Sequence, residues 1–222
     1  MKVRNNQWYA ALTGDAIKSR KLDSAGRRQL HAAILSVGEE LKQAFPGIVV
    51  DDITIFRGDS VQFLLHQPGQ SLRAALFFRV ALKVATGAIK ADMRFAIGLG
   101  TIDFMPEVAT GGADGEAYRL SGPALDSMGP KQTLCLAFPP DADQNLGGEA
   151  LKTSVVLVGA LADRWTEKQA LAVKGALLGR TQEEISKNLS SPVSRQAVAK
   201  NLDGASWFAV ECALRAFEKA VG

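Results

Sequence analysis

Cysteine and histidine are scarce in this chain: Cys135 and Cys212, His31 and His66, two of each in 222 residues. Two cysteines so far apart exclude a disulfide scaffold, and with only two histidines they exclude a Cys/His zinc site. An excess of charge of one sign is also missing. Twenty-six Lys and Arg face 23 Asp and Glu, a net charge of +3, so the overall charge is no nucleic-acid footprint. No run approaches the ~18 apolar residues of a membrane-spanning helix; the longest candidate, 154–162, has nine. The opening Met1-Lys2-Val3-Arg4 lacks the apolar core of a secretory signal. The expectation is a cytoplasmic protein without a membrane partner. Internal repeats and low-complexity tracts are absent as well.

What remains is ordinary globular composition, 47% hydrophobic and 22% charged. At about 150 residues per domain, the length suggests one mid-sized domain with a small appendage. Residues 7–14 read as a buried strand closed by Gly14-Asp15. Residues 24–45 read as a helix, with Leu30, Ile34, Val37 and Leu41 on one face, stopped by Pro46-Gly47. Two short strands, 48–56 and 61–65, are joined by the turn Arg57-Gly58-Asp59-Ser60. A helix over 70–86, a strand over 93–102, a helix near 116–128 and a strand over 133–138 follow. The order β-α-β-β-α-β, then α-β, predicts an α+β, ferredoxin-like antiparallel sheet with helices on one face. Pro139-Pro140-Asp141-Ala142-Asp143 breaks the pattern. It divides a first domain, 1–144, from an all-helical tail, 145–222.

Asp15 ends the first strand and Asp59 sits in the turn before the third. In a ferredoxin-like sheet these strands are central neighbours, so the two carboxylates meet at one sheet edge. Carboxylates held together repel unless a cation lies between them. Mg²⁺ suits such oxygen ligands and takes its remaining ligands from water and phosphate. Gly14 and Gly58 precede the two acids and allow backbone to approach a ligand. The loop Ala16-Ile17-Lys18-Ser19-Arg20 enters a helix, and its amides suit phosphate, with Lys18 and Arg20 adding charge. A single Gly-Asp pair most often marks only a turn; two at converging positions point to metal. Arg57 and Arg119 read either as surface cations or as triphosphate partners. Asp114 reads as a helix cap or a ligand contact.

Thr13-Gly14-Asp15-Ala16-Ile17-Lys18-Ser19-Arg20 resembles the opening motif of the SatD family of small bacterial proteins, and Phe56-Arg57-Gly58-Asp59-Ser60-Val61-Gln62-Phe63 resembles their second motif. That family in turn is similar to class III nucleotide cyclases, GGDEF diguanylate cyclases and CRISPR-associated palm domains. The resemblance covers most of 8–138. It implies a nucleotide cyclase-like palm in which Asp15, Asp59 and the Ala16 carbonyl hold Mg²⁺ or Mn²⁺ on a nucleoside triphosphate. It leaves nucleotidyl cyclase and nucleotidyltransferase chemistry both open. Ser60 stands where GGDEF enzymes carry a second acid. The helix after Glu116 offers Arg119 and then Pro123, not the Asn and Arg that class III cyclases place one turn apart. Nucleotide binding is therefore better supported than turnover.

In the tail, 145–164 reads as one helix. Thr166 with Gln169, and Thr181 with Glu184, form capping boxes. The second opens a helix over 182–189. A turn through Ser190-Ser191-Pro192-Val193 leads to a helix capped by Ser194 and running to Leu202. This is helix-turn-helix spacing and is similar to sigma-factor region 4. Arg195, Gln196, Lys200 and Asn201 would lie on the exposed face of the third helix, where Arg and Gln read base edges. Ser194 and Lys187 would meet phosphates. The competing reading is a packing or dimer module. The last helix, 205–221, carries Trp207, Val210, Leu214, Phe217 and Val221 on one stripe, a core or homodimer seam. The expected function is a nucleotide-binding palm coupled to a DNA-binding tail. The alternative is a DNA-binding regulator whose palm is an inactive sensor or dimerisation module.

Overall fold

The computed structural model describes residues 7–50, 52–56, 58–87, 89–105, 113–145, 147–189 and 193–222. Its centre is a five-stranded sheet: β1 (Tyr9–Ala16), β2 (Thr54–Phe56), β3 (Ser60–Leu65), β4 (Met93–Gly100) and β5 (Leu134–Ala137), in the spatial order β2-β3-β1-β4-β5. β1 pairs antiparallel with both β3 and β4, and β2 pairs antiparallel with β3. The fold is α+β, and its first four strands have the ferredoxin-like arrangement that the element order predicts. β5 extends this core and runs parallel to β4.

Alternation assigns each face of the sheet. Ala10, Leu12, Phe63, Leu65, Phe95, Ile97 and Leu99 point to the side covered by α1 (Ser24–Ala44) and α2 (Ser71–Ala85). Tyr9, Ala11, Leu64 and Ala96 point the other way, toward α3 (Glu116–Ser127). Because both faces are covered, β1 reads as a near-continuous apolar run. The expectation of helices on one face thus holds for α1 and α2, while the added α3 covers the second face. Its backbone comes close to the sheet at Gly98, where a Cβ would stand 2.2 Å from the Ala117 carbonyl oxygen. The glycine that interrupts the β4 pattern in the sequence makes room for that helix.

β2 is shorter than the 48–56 strand expected; it is an edge strand of three residues, with a separate bridge from Val49 to Leu65. Residues 140–143, read as part of a break, belong to the short helix α4 (Pro140–Asn145), for which a leading proline is well suited, and the helix expected over 145–164 begins only at Gly148. The tail continues as α5 (Gly148–Asp163), α6 (Glu167–Leu177), α7 (Gln182–Asn188), α8 (Arg195–Gly204) and α9 (Trp207–Val221). The capping boxes at Thr166 and Thr181 are both formed, and Ser194 caps α8 by accepting from the Ala197 amide. α5 packs on β5 and α6 packs on α2. One buried cluster runs from Leu12 and Phe78 through Val155 and Val173 to Phe217.

A buried ion network fastens this assembly. Arg79 of α2 is 2% exposed. It donates to both Asp92 oxygens (3.1 and 2.8 Å), to Asp163 of α5 (2.7 Å) and to the Thr133 hydroxyl (3.1 Å). Burial alone pulls the guanidinium pKa down, but the two carboxylates outweigh it and the net shift is upward. Arg79→Met is expected to lower stability by about 3 kcal/mol, since it leaves two carboxylates without their cation in a partly dry site. Urea unfolding measures this, and a loss under about 1 kcal/mol would show that the network adds little.

Candidate functional site

The register of β1 with its neighbours builds the site. Asp15 stands opposite Ser60 on one side and opposite Arg94 on the other. The Ala16 amide donates to the Asp59 carbonyl at 3.2 Å, so one backbone hydrogen bond joins the ends that carry the two acids. Ser60 Oγ donates to Asp15 Oδ1 at 3.2 Å, and Arg94 Nη2 lies 3.3 Å from Asp15 Oδ2. The Ser19 hydroxyl donates to Asp59 Oδ2. The Ile17 amide donates to the Asp92 carbonyl at 2.8 Å and seats the loop that follows β1.

Both acids line a cleft of about 1250 Å³ between this loop, the β2–β3 turn, α1 and the C-terminal end of α3. Of the expected site residues, Asp15, Ala16, Ile17, Lys18, Ser19, Arg20, Gly58 and Asp59 line it. Lys18 adopts a left-handed conformation, φ 62° and ψ 19°, and Gly58 has φ 87°. A left-handed lysine costs about 1–2 kcal/mol, and such residues gather at functional sites.

Gly14 has a different task from the one expected. A Cβ there would stand 2.4 Å from the Phe95 ring, on the core face of the sheet, and Gly14 does not line the cleft. Arg119 does not line it either: it pairs with Asp103 (2.7 Å) and Asp114 (2.9 Å) on the surface. Those contacts, Asp103 foremost, raise its pKa. Asp114 is not the cap expected of it: Gly115 takes the N-cap position of α3, with no side-chain cap, and Asp114 Oδ1 only accepts from the adjacent Gly115 amide at 2.7 Å. Arg57 and residues 110–112 lie outside the described residues.

Several cleft residues carried no motif in the sequence. Arg94 follows β4's first residue, and only the strand register brings it to Asp15. Arg27, Arg28 and His31 project from α1, and Phe56 closes β2. Lys18, Arg20, Lys21, Arg27, Arg28 and Arg94 face three acids, Asp15, Asp59 and Asp126, so the described lining carries more positive than negative charge. Next to Arg94, burial pushes the Cys135 thiol up to about 12, and the cation offsets this only in part; Cys135 is a packing residue.

The oxygen groups fit a hard cation: two carboxylates and two hydroxyls, Ser19 and Ser60, with no sulfur or imidazole bonded to either acid among the described residues. Among the described residues no three His, Cys, Asp or Glu side chains gather as a complete metal site. A cation here would take its other ligands from water and phosphate, as Mg²⁺ does.

In the tail, Ser194, Arg195, Gln196 and Lys200 are exposed and Asn201 is half-buried. The Asn201 amide donates to the Ala197 carbonyl at 2.9 Å. Lys187 pairs with Glu183 at 2.6 Å, one turn away on α7, which raises the lysine pKa and lowers that of the glutamate. These residues belong to α7, α8 and the α8 cap, and none lines the cleft.

The sequence matches no family model, and no curated protein matches it at significance. Among solved structures, the chain is similar to the guanylyl cyclase Cya2, with 13% identity over 61% of this chain and 77% of that one, TM-score 0.44. It is also similar to a bacterial light-regulated adenylyl cyclase, with 16% identity over 59% of this chain and 42% of that one, TM-score 0.38. At these identities the likeness concerns the fold alone.

Gly14→Ala tests the packing role. The new methyl meets a buried ring, so a loss of about 1–3 kcal/mol is expected, larger than that from Gly129→Ala, whose Cβ meets nothing within 4 Å and whose φ is not positive. Equal losses in the two variants, measured by chemical denaturation, would contradict the assignment.

Proposed function

We propose that this chain binds a nucleoside triphosphate with Mg²⁺ or Mn²⁺ in the Asp15–Asp59 cleft, as a SatD-like palm, and that its tail contacts DNA through α8. The observation that carries the nucleotide reading is the convergence of Asp15, Asp59 and the Lys18–Arg20 loop on one electropositive cleft. Asp15 and Asp59 hold the metal, with the Ala16 carbonyl as a further ligand. The Ile17–Arg20 loop and Gly58 receive the phosphates. Arg57 remains a phosphate partner in this reading; Arg119 and Gly14 lie outside the cleft and take no part in it.

A metal bound here would polarise the phosphates and screen their charge. Arg94 is placed to neutralise Asp15 while the metal is away, and Ser19 orients Asp59. The alternative, a DNA-binding regulator with a non-catalytic palm that senses nucleotide or forms a homodimer, draws support from Arg119, whose guanidinium is committed to Asp103 and Asp114. Pyrophosphate release from the four triphosphates with Mg²⁺ or Mn²⁺ separates a nucleotidyl cyclase or nucleotidyltransferase from a sensor.

Mg²⁺ with triphosphate at about one hundred times its Kd is expected to raise Tm by about 5–10 °C. Asp15→Asn and Asp59→Asn should each remove that shift while the ligand-free proteins stay folded. A shift that persists in both variants would overturn the metal assignment.

For the tail, Arg195→Ala is expected to cost about 1–3 kcal/mol at a selected DNA site and to relax its sequence preference. Lys187→Ala should weaken all sequences alike and lower the salt slope by about one. If selection from a random duplex library enriches nothing, the tail is a packing module.

A further inference from the structure

Positive charge in this protein is concentrated beside the cleft. Residues 18–28 contain Lys18, Arg20, Lys21, Arg27 and Arg28 against the single acid Asp23, a net +4 that exceeds the +3 of the whole chain. Asp23 is already occupied as the α1 cap, accepting from the Gly26 amide at 2.7 Å. None of the five cations forms an ion pair among the described residues; Arg27 bonds only the Leu22 carbonyl, at 3.1 Å. Elsewhere, Lys42, Arg73, Arg119, Lys174, Lys187 and Arg215 are paired with carboxylates, while other cations such as Arg180, Arg195 and Lys200 form no ion pair among the described residues but do not line the cleft.

These five cations line the same cleft, from the loop after β1 along the first turns of α1. Across from them, at the end of β2, stands Phe56. It is half-buried and packs into none of the buried apolar clusters among the described residues. At about 1250 Å³ the cleft also exceeds the roughly 300–1,000 Å³ of an ordinary small-molecule pocket. A cationic track with a partly exposed aromatic ring is how proteins hold single-stranded nucleic acid: the charges follow the phosphates and the ring stacks a base.

We propose that the α1 side of the cleft binds a single nucleic-acid strand, its phosphodiester backbone along Arg20, Lys21, Arg27 and Arg28 and one base against Phe56. This deepens the nucleotide reading, because the strand would lie beside the triphosphate subsite and share the cleft with it. It is separate from DNA contact by α8, which does not line the cleft.

Fluorescence anisotropy of the full chain with end-labelled twelve-nucleotide dT and U strands tests it. The double variant Arg27→Ala/Arg28→Ala alters two exposed side chains of α1. It should weaken strand binding about tenfold or more and lower the slope of log K against log salt by about 1.4, two phosphate contacts at ~0.7 each. Phe56→Ala should cost about tenfold with little change in slope. Lys168→Ala, at an exposed lysine of α6 that does not line the cleft, should leave strand affinity unchanged. Asp15→Asn should remove the Mg²⁺–triphosphate thermal shift yet keep the strand, so failure of the nucleotide reading is distinguishable from failure of this one. No strand binding by the unaltered chain, equal affinity in the double variant, or loss only with Arg195→Ala would each overturn the proposal. Inorganic polyphosphate that binds as tightly as the strand, with Phe56→Ala silent for both, would also overturn it in favour of a plain polyanion site.

Discussion

The pairing of β1 with β3 is the constraint on which the site depends. Asp15 and Asp59 lie 44 positions apart in sequence and share an edge only because Asp15 stands opposite Ser60. Slippage by one residue would turn Leu12 and Phe63 out of the core as well as separating the acids. Both faces of β1 are buried, by α1 and α2 on one side and by α3 on the other, so the register is held from two directions. The two carboxylates are placed by the apolar packing beneath them rather than by attraction to each other.

The same packing ties the tail to the sheet. α5 and α6 bury their apolar faces on β5 and α2, and Arg79 joins α2, the residue preceding β4, and α5 through Asp92 and Asp163. Asp92 has two tasks, since its carbonyl also accepts from Ile17 in the cleft loop. Arg73 with Glu218 and Lys174 with Glu40 add contacts between the sheet-covering helices and the tail. These more exposed pairs contribute specificity of docking more than free energy.

Much of this was legible in the sequence where the signal is local. The α1 face, the turn before β3 and the capping boxes at Thr166 and Thr181 follow from spacing and from short polar side chains at helix starts. The strand order followed from the sequence of elements. What escaped is non-local. Gly98 interrupts the alternation of β4 and reads as a defect until α3 is seen lying across it. Gly14 reads as a ligand-facing glycine next to Asp15, although successive strand residues point to opposite faces and its empty side belongs to Phe95. Arg94 has no neighbouring motif and enters the site through register alone. Arg119 reads as a phosphate partner until Asp103 and Asp114, carried by the β4–α3 connection, are seen to engage it.

Lys18 carries a final consequence. Its left-handed backbone is held between the Ile17 amide bond to the Asp92 carbonyl and the turn in which the Lys21 amide donates to the Lys18 carbonyl. The energetic cost of that shape is therefore met when the protein folds. Under the proposed nucleotide reading, an anion at the loop would meet a backbone already set and lose little affinity to ordering it. Under that reading, discrimination among phosphorylated ligands would then fall to the long cationic side chains around that frame rather than to the backbone that carries them.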